Sequence, residues 1–253
     1  MTDRTEAVRR QFGEVAAAYA TSAVHAAGPD LALLREAAAL TGVERVLDLG
    51  SGPGHTALAL ATSAAHVTGV DVTPEMVVLA RDLARQRGVT NVRFEEADVA
   101  ALPFAGSSFD VVASRFAGHH LADPVRALLE ARRVLRTGGR ILFVDTVAPE
   151  DPGLDTFCNT FEFLRDPSHA RCHRASEWVR MLSTAGFEAQ VVHRLALAMD
   201  GAAWVKRTRT PPARVAVIRE LFAAATPAQQ AAFEIRQDPW GFSQPVVIVA
   251  GTA

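Results

Sequence analysis

The sequence predicts a doubly wound α/β fold, a mostly parallel sheet with helices on both faces, and three observations carry that prediction. From residue 43 to about 145, short β-branched runs alternate with longer helical patterns, the rhythm of strand–helix–strand units. The strand segments carry Val, Leu and Ile on successive positions, as expected where helices cover both faces of a sheet. A glycine-rich turn follows the first strand, where open parallel sheets bind their ligands. At 253 residues, 49% hydrophobic and 21% charged, the chain can bury a globular core and does not have the composition of a disordered one.

In order along the chain, residues 1 to 40 read as a helical cap with Phe12, Val15 and Tyr19 on one face. "ERVLDLG" is the first strand, "HTALALATSA" a helix and "AHVTGVDV" the second strand. "TPEMVVLARDLARQRG" is a punctuated helix: Thr73 at the N-cap, Pro74 at the first helical position, Gly88 at the stop, and Met76, Leu79, Ala80 and Leu83 on its apolar face. "NVRFEEAD" and "SSFDVVASR" are the third and fourth strands. "DPVRALLEARRVLRTGG" is a helix opened by Asp123-Pro124 and closed by Gly138-Gly139, with Val125, Leu128, Leu129 and Leu135 as its buried stripe. "RILFVDTV" is the fifth strand, "SEWVRMLSTAGF" a helix, and "FEAQVVHRLAL" and "QPVVIVAG" two carboxy-terminal strands. Between those two, residues 197 to 243 read as a mostly helical insertion. The expected division is a cap (1–40), a ligand-binding core (41–150) and acceptor-side helices with the last two strands (151–253), within a single overall domain.

Bulk properties exclude several function classes. A net charge of −2 offers no global attraction to nucleic acid or to an anionic membrane, so neither is expected as a partner. No apolar run is long enough to span a bilayer, and "MTDRTEAVRRQFGEV" is not a secretion signal, so a cytoplasmic location is expected. Cys158, His169, Cys172 and His173 lack paired metal-ligand spacing, and no metal site is expected.

The glycine turn "DLGSGPGHT" narrows the ligand. The dinucleotide fingerprint would need a glycine at position 55, which is His55, and no Gly-Lys-Ser/Thr follows for a phosphate loop. Asp48 stands two residues before Gly50, a poor neighbour for pyrophosphate and a good one for a cationic amino acid. Asp71 ends the second strand, where an acid accepts from ribose hydroxyls, and Asp98 follows the third, within reach of an adenine amine. An ammonium, a ribose and an adenine without phosphate are the parts of S-adenosylmethionine.

With these motifs, "VLDLGSGPGHTALALA", "VTGVDVTPEMVVLAR", "VRFEEADVAALPFAGSSFDVVASR" and "HHLADPVRALLEARRVLRTGGRILFVD", the chain resembles the class I S-adenosylmethionine-dependent methyltransferases, and within them the ubiquinone/menaquinone-methyltransferase-like small-molecule branch. The resemblance implies a seven-stranded Rossmann-like sheet whose last two strands are antiparallel additions at one edge. It implies that Asp48, Gly50, Ser51, Gly52 and Gly54 line the methionyl part and that Asp71 holds the ribose. It further implies Val72 and Met76 near the adenine, Asp98 and Val99 at the adenine edge, and Ser114 or Arg115 closing the pocket below. The activity implied is methyl transfer to O, N or C of a small organic acceptor. The rivals are a non-methylating S-adenosylmethionine binder on the same scaffold and an NAD(P)-dependent oxidoreductase.

Methyl transfer from a sulfonium needs mainly alignment, worth about 7–11 kcal/mol, so the chemistry forces no base motif. The candidate bases are His119 and His120 in "RFAGHHLADP", with Asp145 as a group that orients a histidine or caps the segment after its strand. His169 and Arg171 are secondary candidates. The aromatic residues after 150 either roof an acceptor pocket or form the core of an added helical layer. "WVKRTRTPP" reads first as a solvated charged face and second as a source of cations for an acidic acceptor. The amino-terminal helix is expected either to cap the cofactor or simply to pack.

Overall fold

A computed structural model describes residues 3–253. Three helices, α1 (Asp3–Ala20), α2 (Ala23–Ala27) and α3 (Pro29–Ala38), precede the sheet. Strands and helices then alternate as β1 (Arg45–Leu49), α4 (His55–Ala61), β2 (His66–Asp71), α5 (Pro74–Gln86), β3 (Val92–Glu96) and β4 (Phe109–Arg115). A short 3-10 turn (Gly118–His120) leads into α6 (Pro124–Val134), β5 (Leu135–Thr146), α7 (Pro152–Arg165), α8 (Ala175–Thr184) and β6 (Glu188–Asp200). The chain closes with α9 (Gly201–Arg207), α10 (Pro212–Ala223), α11 (Pro227–Phe233), β7 (Arg236–Gln237) and β8 (Trp240–Thr252).

The strands order as β3-β2-β1-β4-β5-β8-β6. The first five are parallel, and β8 runs antiparallel between β5 and β6. That is the expected seven-stranded path; β7, two residues long, is an extra piece that pairs only with β8. Successive side chains leave each strand on opposite faces. Val46, Val111, Leu142, Val144 and Ile248 therefore enter one core with α3, α4, α5 and the carboxy-terminal helices. Leu47, Val112, Ile141, Phe143 and Val249 enter the other, beneath α6 and α8. At about 1.5–3 kcal/mol for each fully buried large side chain, these two layers fix the sheet and hence the ends of its strands.

Three local expectations give way to tertiary contacts. The helix after Asp123-Pro124 stops at Val134, and Leu135 already belongs to β5. Leu135 pairs with Phe109, Arg136 reaches Asp110 at 2.7 Å, and Gly138 and Gly139 exchange backbone hydrogen bonds with Ala253. These distant partners outweigh a local helical preference, which is only tenths of a kcal/mol per residue. Leu129, placed on the buried stripe by its spacing, is 51% exposed. Thr73 is the N-cap of α5 by position, but its side chain caps nothing; its own amide donates to Asp71 Oδ1 at 2.8 Å.

Helix α1 packs across the core on its Val15–Tyr19 face, joining Met76 of α5, with Phe12 and Leu79 at the margin. Arg4 Nη1 donates to the His169 carbonyl at 2.7 Å and Gln11 Nε2 to the Thr208 carbonyl at 2.9 Å, so the helix spans from the core to the carboxy-terminal elements. Among the described residues, no helix is long and apolar enough to cross a membrane.

Candidate active site

A cavity of about 460 Å³ lies at the carboxyl ends of β1, β2, β4 and β5, beside the point where strand order reverses between β1 and β4. Its first wall is the glycine turn. Gly50 and Gly52 have φ of 66° and 51°, the left-handed region that glycine tolerates. A Cβ on Gly50 would lie 2.4 Å from that of Ala117, whereas one on Gly52 would meet nothing within 4 Å. Gly52 thus presents bare backbone to the open space. Gly54 instead backs onto the Phe94 ring and does not line the cavity.

Asp71 stitches this turn to the end of β2: Oδ2 accepts from the Gly52 amide and Oδ1 from the Thr73 amide, each at 2.8 Å. Burial pushes its carboxyl above the usual range, against the pull of those amides. Each oxygen keeps a lone pair for a ligand. Val72 and Met76 continue this wall, and Asp98 and Val99 stand beyond it. Asp98 Oδ1 accepts from the Ala100 amide at 2.9 Å.

Asp48 departs from its expected place. It is 1% exposed, lies behind the turn rather than on the cavity wall, and neither oxygen has a hydrogen-bond partner. Burial pushes its carboxyl up to about 8; the Ala57 amide leans toward it without hydrogen-bond geometry and offsets only part of that. Ser114 Oγ donates to the Leu49 carbonyl at 3.1 Å, tying β4 to β1 beside the turn. Arg115 also borders the cavity, but its guanidinium is committed to the cap, with Nε 2.5 Å from Asp30 Oδ2 and Nη1 donating to the His25 carbonyl at 2.8 Å.

The cavity lining also brings the two candidate histidines together, with rings 4.2 Å apart but in different surroundings. His119 Nδ1 is 2.5 Å from Asp145 Oδ1, and its amide donates to Asp145 Oδ2 at 2.8 Å. Burial works against charging this ring, but the Asp145 carboxylate more than compensates and raises its pKa. Because Nδ1 faces Asp145, Nε2 is left for the cavity, where no described protein group bonds it. His120 Nδ1 rests 3.3 Å from both the Ser168 carbonyl and hydroxyl, and its ring meets Phe12 edge-on at 4.9 Å. Burial, reinforced by the neighbouring His119, pushes it down to about 4.

His169 is held by Asn159 Oδ1 at 3.1 Å and pushed by burial down to about 2, while Arg171 pairs with Asp155 at 2.7 Å. Cys158 and Cys172 are buried free thiols. Most carboxy-terminal rings are core: Phe157, Phe161, Phe222, Phe233 and Phe242 pack on one another, and of the aromatic group only Trp204 borders the cavity.

Sequence reasoning missed Glu162, Arg165 and Arg207, which also line the cavity. Arg165 lies 3.4 Å from Glu162 and its guanidinium sits 4.9 Å over the Trp204 ring. The Glu162–Arg165 spacing of three residues reads as an ordinary surface pair, and only the long-range docking of α7 buries it. In "WVKRTRTPP", Lys206 and Arg209 are exposed as expected, but Arg207 turns inward.

Comparison with known proteins agrees with this geometry. Residues 40–191 match the family model described as "Methyltransferase domain". The chain is 43% identical over 203 residues to the uncharacterized methyltransferase YcgJ of Bacillus subtilis, covering 80% of each protein. The crystal structure of YcgJ superposes with a TM-score of 0.84, covering 88% of this chain and 97% of that one. A putative methyltransferase from Bacillus halodurans superposes with a TM-score of 0.85 at 32% identity, covering 89% and 99%. A demethylmenaquinone methyltransferase of Clavibacter sepedonicus is 33% identical over 213 residues, or 74% of this chain and 84% of that protein. The chain therefore belongs to the methyltransferase-domain family and is a class I S-adenosylmethionine-dependent methyltransferase.

Proposed function

We propose that this enzyme methylates a small organic acceptor that gives up a proton to His119. The observation that carries this reading is the His119–Asp145 pair, with His119 lining the cavity. S-adenosylmethionine supplies a methyl group on a positively charged sulfur. The residues present suit that cofactor: open backbone at Gly52, the buried Ser51 and Thr73 hydroxyl oxygens without partners, and lone pairs remaining on Asp71. Gly50, Ser51 and Gly52 would hold the methionyl part and Asp71 the ribose. Val72 and Met76 would face the adenine, with Asp98 and Val99 at its edge and Ser114 below.

The acceptor's proton then has one well-prepared destination. Neutral His119 takes it on Nε2, and Asp145 holds the ring's orientation and stabilises the resulting imidazolium. His120, kept neutral by its surroundings, serves as a wall. A small acceptor is favoured because the cavity of about 460 Å³ must also hold the cofactor and because α1 lies across it.

The test has two parts. Calorimetry should detect S-adenosylmethionine and S-adenosylhomocysteine, and a screen of phenols, thiols, amines and enolisable carbonyls should find turnover by release of S-adenosylhomocysteine. In His119→Ala, turnover should collapse while S-adenosylhomocysteine affinity stays unchanged, and full turnover would remove the base assignment. Methylation confined to nucleic acid or protein fractions would overturn the small-acceptor reading.

A further inference from the structure

The cavity wall contains a cation with no anion opposite it. Arg207, at the end of α9, lines the cavity, and among the described residues no carboxylate lies within 4.0 Å of its guanidinium. Nη1 donates to Ser22 Oγ at 2.9 Å and meets His25 Nδ1 at 3.3 Å, both neutral anchors that fix the side chain without balancing its charge. Its Nε is buried without a hydrogen-bond partner. A half-buried guanidinium in that condition keeps neutral partners but no countercharge to offset the desolvation of its charge.

The neighbouring charges do not fill the gap. Arg165, also on this wall, takes Glu162 as its partner at 3.4 Å. Asp166 gives Oδ1 to the Ser168 amide and hydroxyl and does not border the cavity. Tyr19 contributes only its ring, 5.9 Å from the Arg207 guanidinium carbon.

We propose that Arg207 receives a carboxylate carried by the methyl acceptor, so that the substrate class is a small organic acid bound with its reacting atom toward His119. The inference rests on the small-acceptor reading above. A guanidinium presents two parallel donors that match a carboxylate edge. One unpaired cation beside Glu162 suits one negative charge; a phosphate, with a second charge, would meet Glu162 unfavourably. The apolar flank needed by the rest of such a molecule is provided by Trp204 and Met199.

The experiment uses the full chain saturated with S-adenosylhomocysteine and measures affinities for matched probes: benzoate against benzamide, 4-hydroxybenzoate against 4-hydroxybenzamide, phenylacetate against phenylacetamide, with phenyl phosphate as a further arm. At least one carboxylate should bind tenfold or more tightly than its amide, about the preference expected of a charge-assisted hydrogen bond. Arg207→Gln should abolish that preference with S-adenosylhomocysteine affinity unchanged, and Arg207→Lys should restore part of it. Carboxylates that bind no better than amides, or not at all, overturn the inference. So does a preference that survives Arg207→Gln, tighter binding of phenyl phosphate than of any carboxylate, or an Arg207→Gln variant that loses the cofactor product instead. Failure of the wild-type chain to bind S-adenosylhomocysteine would sink the cofactor assignment itself, a separate and recognisable result.

Discussion

Replacing Asp48 by Asn isolates the electrostatic consequence of the glycine turn. In the folded chain the Asp48 carboxyl is held up to about 8 by burial, against an ordinary value of 3.8. Between those values the folded protein binds a proton there that the unfolded chain does not. Stability from this group must then fall as pH rises, by about 1.4 kcal/mol per unit, and the slope ends once pH passes the folded value. From pH 4.5 to 7.5 the loss is about 4 kcal/mol. For a chain of this size that corresponds to about 8–16 °C in melting temperature. Asn has nearly the same shape and no titration, so Asp48→Asn should gain on the wild type by about that amount over the interval. Denaturant unfolding of both proteins at pH 4.5 and 7.5 gives the double difference, in which every other titrating group cancels. Parallel pH dependences would refute the reasoning and mean that Asp48 is ionised and solvated after all. Cofactor binding should engage the same proton. An ammonium arriving across the turn should draw it off Asp48, so binding near pH 7 should release a proton, read as a heat that differs between phosphate and Tris buffers. The release should vanish in Asp48→Asn.

Further outcomes concern neighbouring contacts. Asp71→Ala removes both the anchor of the glycine turn and the proposed ribose acceptor, and should weaken S-adenosylhomocysteine binding by about 1.5–3 kcal/mol in calorimetry; unchanged affinity in a folded variant would exclude the ribose role. Asp30→Ala leaves Arg115 buried without its carboxylate and should cost about 3–5 kcal/mol in denaturant unfolding; a loss below 1 kcal/mol, on the order of a surface pair, would contradict the buried pair. Asp145→Asn should drop the His119 pKa from above its ordinary value to below it, followed by imidazole NMR, since burial then meets only the smaller pull of Glu162. In the wild type, His119 contributes stability below about pH 6.5 that is lost as pH rises through its raised folded value. Turnover should rise over that same upper range, because the base acts in its neutral form; turnover highest at acid pH would contradict the role.

The alternation of β-branched runs and helical stretches was enough to draw the sheet, because both are local periodicities written in adjacent residues. The glycine turn was legible for a related reason: three glycines before a helix, with acids at the ends of the second and third strands, point to a ligand through residues close in sequence. The tertiary structure decided what depends on distant partners. It turned Leu135 from helix to strand through Phe109 and Ala253, and buried Asp48 behind the turn it was expected to line. It paired His119, and not His120, with Asp145, 26 residues away at the end of the adjacent strand. It also turned Arg207 inward while Lys206 and Arg209 stayed in solvent. Spacing along a chain reports which face of an element a residue shares with its near neighbours; which charge meets which across a cavity depends on strand order and register, and those exist only once the sheet has formed.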